Sequence, residues 1–64
     1  MKKNEALAVM EANIISGRLD VFKMTSRESV KAQLRIASSI DLGLKNAIFE
    51  LGVEELAKVY TKGK

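Results

Sequence analysis

Apolar residues recur at helical spacing from the start of the chain. Leu7, Met10 and Ile14 share one face at about 100° per residue, and Ala8, Ala12 and Ile15 widen the apolar surface beyond a single stripe. So broad a surface calls for more than one neighbouring element. Asn4 stands where an N-cap belongs, and Gly17 where a left-handed residue ends a helix, so helix is expected over residues 5–15.

The pattern then changes period. Over residues 18–24 Leu19, Val21 and Lys23 alternate with Asp20, Phe22 and Met24, and the segment is rich in side chains that favour strands. A lone strand leaves its N–H and C=O groups unpaired, so its natural partner is the same strand of a second copy, which predicts an isologous homodimer. The alternative is an irregular connector docked by Val21, Phe22 and Met24.

Helical spacing returns after Thr25, which with Glu28 three residues on forms a capping-box signature. Val30, Leu34, Ala37 and Ile40 line one face, while Arg27, Lys31, Gln33 and Arg35, with Glu28 among them, take the other. Leu44, Ala47, Ile48 and Leu51 continue that phase, and Leu42, Phe49, Val53, Leu56 and Tyr60 form a second stripe. Residues 42–51 are thus apolar on two sides, as expected of a helix packed both on its own chain and on a partner. Gly43 can divide two helices, and Gly52 is either a helix-interior glycine or a kink. The fold expected is mainly α with one short β-strand, in the order helix, strand, helix, helix. It is a single domain with an N-terminal helix in residues 1–17, a core in 18–60 and a fraying tail in 61–64.

Size makes burial scarce. A chain of 64 residues and 7.1 kDa holds one core, and surface scaling gives about 4,100 Å² folded against roughly 10,300 Å² unfolded. With no Cys and no His, disulfides, thiol nucleophiles, imidazole catalysis and the usual zinc and haem sites all drop out. Glu54 and Glu55 read as a dipole-favourable pair at a helix start rather than an acid–base or metal site. The four glycines stand apart and form no phosphate-binding loop. No enzyme, cofactor or metal site is expected. Met1, Lys2 and Lys3 open like a leader, but Glu5, Glu11 and Asn13 interrupt the apolar run and no stretch reaches membrane-spanning length, so the expected compartment is the cytoplasm.

Three features taken together carry a family resemblance. They are the alternating segment ending in Phe22, Lys23, Met24; the helix with Glu28, Ser29, Val30, Leu34 and Ala37; and the run Gly43, Leu44, Lys45, Asn46, Ala47, Ile48, Phe49. Over residues 18–60 this order resembles the ribbon-helix-helix regulators of the MetJ and Arc group, dimers that place a two-stranded ribbon in the major groove. The resemblance implies a transcriptional repressor binding double-stranded DNA as a homodimer. Val21, Lys23 and Thr25 would face bases, and Arg18, Arg27, Lys45 and Asn46 would meet phosphates. Phe22, Met24, Leu44, Ile48, Phe49, Val53 and Leu56 would form the dimer core.

Other readings stay open. A helix-turn-helix needs a polar outward recognition face, and residues 42–51 offer only Lys45, Asn46 and Glu50. A small helical inhibitor or adaptor would instead bind a partner protein through an apolar helix face, with the first helix its best feature. A structural oligomer would use the seven-residue recurrence of Val30, Ala37, Leu44 and Leu51.

Overall fold

In a computed structural model, described here over residues 1–62, the chain folds as four α-helices: α1 (Lys3–Ile15), α2 (Arg27–Ser38), α3 (Leu42–Leu51) and α4 (Val53–Lys62), with one 3₁₀ turn at Val21–Lys23 between α1 and α2. No strand occurs among the described residues, which overturns the expected strand and with it the ribbon.

Local hydrogen bonding explains why residues 18–24 do not extend. Asp20 Oδ1 accepts from the Phe22 N–H at 3.1 Å, and the N–H groups of Lys23 and Met24 donate to the carbonyls of Asp20 and Val21 at 3.0 and 3.1 Å. Three N–H groups in a row, which a strand would share with a neighbour, are therefore satisfied within the segment. Asp20 N–H also donates to Gln33 Oε1 on α2 at 3.3 Å. Leu19 and Met24, five residues apart, both point into the core, which no alternating strand allows, while Phe22 and Lys23 stand in solvent. The connector alternative describes this segment, except that Leu19 replaces Phe22 as an anchor.

Each helix boundary has a chemical cause. α1 starts two residues before the expected position: the Lys2 N–H donates to Glu5 Oε1 at 2.9 Å, and Asn4 lies inside the first turn. It ends as expected at Gly17, whose φ of 83° fits the left-handed position. The Arg18 and Leu19 N–H groups then fold back onto the Asn13 carbonyl at 2.8 and 3.0 Å. The cap of α2 is Ser26, one residue later than Thr25. Ser26 Oγ accepts from the Ser29 N–H at 3.2 Å, and Ser29 Oγ accepts from the Ser26 and Thr25 N–H groups at 2.9 and 3.0 Å. A second serine completes the reciprocal cap, leaving Glu28 free to pair with Lys31 at 3.0 Å.

Residues 26–51 form two helices, but Gly43 does not divide them. The break falls at residues 39–41, where Asp41 caps α3 through the Leu44 N–H at 2.8 Å, and Gly43 sits in the first turn of α3. Gly52 makes a second break, at φ 90° and ψ 147°. Its N–H closes α3 on the Ile48 carbonyl at 2.8 Å and its carbonyl receives the Leu56 N–H at 3.1 Å, so one residue ends α3 and starts α4. Residues 61 and 62, expected to fray, belong to α4; the rest of the expected tail, residues 63 and 64, lies outside the described residues.

The core is shared evenly. Each helix supplies one fully buried alanine, Ala6, Ala37, Ala47 and Ala57, and at least one large side chain, Met10, Leu34 with Val30, Leu44 and Leu56. Small residues let the helix axes approach, and the large ones fill the space between them. α1 packs on both α3 and α4, the two neighbours its broad apolar surface called for, and α2 packs on α3 and α4. The folded surface of 4114 Å² matches the value expected for a lone chain of this mass.

Candidate functional site

The outer surface of α3 sets the site. Leu44 and Ala47 point into the core and Ile48 and Leu51 are partly buried against it. At 100° per residue, Leu42 and Phe49 lie within about 20° of each other and opposite those core positions. Leu42 is 70% exposed and Phe49 91% exposed. The pair forms the crest of the helix, about 10 Å apart along its axis, with Asn46 on one flank and Lys45 on the other. Ile36 and Ile40, at the end of α2 and just beyond it, are also mostly exposed, so large apolar side chains continue around the corner into α3.

The two flanks differ in charge. Glu50 turns toward α1, where its Oε1 receives the Met1 α-amino group at 2.6 Å. Gly43 lies on the same flank, since a Cβ there would sit 3.8 Å from Val9 Cγ1. Lys45 occupies the opposite flank and joins no ion pair among the described residues. Asp41, at the head of α3, is committed to the Leu44 N–H and, at 3.2 Å, to Asn13 Nδ2. Those two donors hold its carboxyl below the usual carboxylate range, the backbone N–H contributing most.

The basic face of α2 is partly neutralised within the chain. Lys31 Nζ lies 2.6 Å from Glu54 Oε1 on α4 and 3.0 Å from Glu28. The hydrogen bond to Glu54 is the main cause that raises the Lys31 pKa, and the same bond lowers that of Glu54, with Arg27 and Arg35 adding to the effect. Arg27, expected at phosphates, thus stands near an α4 carboxylate.

The remaining expected site residues are dispersed. Val21 is half-buried, Lys23 and Thr25 are exposed at the 3₁₀ turn and the start of α2, and Arg18 donates from Nη1 to Ser16 Oγ at 2.7 Å. Lys45 and Asn46 stand together on α3. Of the expected dimer core, Met24, Leu44 and Leu56 are buried and Ile48 and Val53 partly buried, all within one chain. Phe22, at 89% exposed, and Phe49 are outside it. The seven-residue recurrence is also spent inside the chain, with Val30, Ala37 and Leu44 buried and Leu51 half-buried. α1 buries Ala6, Met10 and Asn13, and of its apolar residues it leaves exposed the small Ala8 and Ala12, with Ile15 at its end.

The double stripe of residues 42–60 marked Leu42 and Phe49 as apolar, and the break at Gly52 decides their fate. α4 restarts with its own phase, which turns Leu56 and Tyr60 inward and leaves Leu42 and Phe49 outside. Among the described residues, no group of three or more acidic, His or Cys side chains is placed to hold a metal ion, and no helix is long and apolar enough to cross a membrane. No known family, curated protein or solved structure matches this chain.

Proposed function

We propose that this protein is a small, non-enzymatic helical interaction module that binds a partner protein through the outer face of α3. The observation that carries the reading is Phe49, 91% exposed on the crest of a helix whose opposite face packs on the core through Leu44 and Ala47. Removing one such side chain from water is worth roughly 1.5–3 kcal/mol. Aromatic residues, Phe among them, are enriched at the cores of protein interfaces. Leu42, two turns earlier on the same crest, supplies the second anchor of an i, i+7 pair, the spacing with which helices engage one another. A ribbon cannot carry DNA recognition in a chain whose candidate strand is a 3₁₀ turn. The cytoplasm, the compartment a Cys-free composition suits, is the proposed setting.

The test is selection of peptides from a random displayed library on the intact protein, with counter-selection on Phe49→Ser. Enriched peptides with apolar residues at helical spacing that lose binding to Phe49→Ser are the expected result. Peptides that bind the variant equally well would refute the α3 site. Micromolar binding of a random-sequence duplex that falls steeply with salt would replace the protein partner by a nucleic acid.

A further inference from the structure

We infer that the segment docking on α3 is an acidic amphipathic helix, a conclusion that rests on the proposed α3 site and adds the partner's charge. Three observations carry it. The only charged side chain flanking the Leu42–Phe49 crest without a counter-ion among the described residues is Lys45. Neither nearby carboxylate pairs with it: Glu50 takes the Met1 α-amino group at 2.6 Å, and Asp41, still an anion, is turned to the Leu44 N–H and Asn13 at the head of the helix. The site therefore offers an apolar crest edged by one cationic side chain that no carboxylate of the described residues pairs with, and a ligand with apolar residues on one face and carboxylates beside them satisfies both.

The same geometry disfavours an antiparallel pairing of α3 with that of a second copy of this chain. Lys45 and Asn46 sit midway between Leu42 and Phe49, so an antiparallel α3–α3 pairing that sets Leu42 against Phe49 of its mate brings the two Lys45 ammonium groups together at the twofold axis. Desolvating like charges at the centre of an interface opposes association. An acidic helix places its carboxylates there instead.

The experiment uses two labelled synthetic helices on the full chain, followed by fluorescence anisotropy at low and moderate salt. Both carry Leu at i, i+3, i+4 and i+7; one has Glu at the flanking positions and its twin has Lys. The Glu peptide should bind about tenfold or more tightly than its twin and weaken with salt. Lys45→Glu should invert the order of the two peptides, and Phe49→Ser should abolish binding of both, each variant keeping its helical circular dichroism. If the twins bind equally, or the Lys peptide more tightly, and Phe49→Ser still abolishes binding, the charge inference falls and the α3 site stands. If neither peptide binds, both fall. A dimer in sedimentation at micromolar concentration that Phe49→Ser dissolves would also overturn the inference, because the occupant would be a second copy.

Discussion

Asn13, buried in the last turns of α1, donates from Nδ2 to Asp41 Oδ2, the cap of α3, across 28 residues of sequence at 3.2 Å. The same nitrogen lies 2.8 Å from the Val9 carbonyl, and the Asn13 carbonyl receives the two N–H groups that turn the chain out of α1. The Asn13 side chain thus ties α1 to the entry of the helix that carries the candidate site, while its backbone carbonyl, which any residue would supply, holds the exit from α1. Only the donor side of the amide is partnered: Asn13 Oδ1 is buried without a hydrogen-bond partner among the described residues, which offsets part of what its Nδ2 contributes.

Asn13→Ala should destabilise the fold by about 1–3 kcal/mol, because Asp41 loses a donor and a gap opens in the core. Asn13→Asp should be worse at neutral pH, where it sets a second carboxylate against Asp41, and should partly recover on acidification. Urea denaturation at two pH values distinguishes the variants, and an Asn13→Ala midpoint equal to wild type would remove the link between α1 and α3.

Acid should weaken the native protein. The folded-state pKa values of Asp41 and Glu54 are depressed, Asp41 by the Leu44 N–H and Asn13, Glu54 by Lys31. Their contribution is therefore complete above the ordinary carboxylate range and is lost as pH falls through the lower folded-state values. Lys31 is shifted upward, so its contribution is present below the ordinary lysine value and is lost as pH rises through the folded one. Asp41→Asn keeps a cap acceptor while removing the titration, and it should flatten the acid limb of the melting temperature. An unchanged acid limb would show that other carboxylates govern it.

Phe49→Ala should change stability by under about 0.5 kcal/mol, as expected of an exposed site, since its side chain is 91% exposed. Leu34→Ala, fully buried on α2, should cost about 2–5 kcal/mol. A 64-residue chain holds on the order of 3–10 kcal/mol in total, so this loss could unfold it. Parallel denaturation curves for the two variants separate crest from core; a large loss for Phe49→Ala would return that residue to the interior.

Gly52→Ala should cost about 1–3 kcal/mol, because φ 90° with ψ 147° is a conformation that side-chain-bearing residues avoid. No atom crowds a Cβ there, so the loss would be one of backbone strain and not of space. A neutral substitution would mean that the chain can pass from α3 to α4 by another turn.

Much of this architecture was written locally. The apolar spacing of Met10, Val30, Leu34, Leu44 and Leu56 is the periodicity of single helices, and Gly17 follows from the left-handed position that ends one. The cap of α2 was legible to within a residue, because it depends on side chains that reach neighbouring N–H groups, as at Ser26, whereas that of α1 lies two residues before Asn4. The 3₁₀ turn was not, since alternation in residues 18–24 fits a strand until Asp20 and Gln33 claim the backbone and Leu19 and Met24 enter the core together. Asp41, with its Asn13 partner, was missed as a cap because Gly43 offered the more obvious punctuation two residues later. The candidate site lay further from reach. That Leu42 and Phe49 share a helix face follows from 3.6-residue periodicity, which is a property of the chain alone. Which face meets water was decided only by tertiary structure: Gly52 resets the helical phase, α4 spends Leu56 and Tyr60 on the core, and the fixed volume between four helices leaves no room for Phe49.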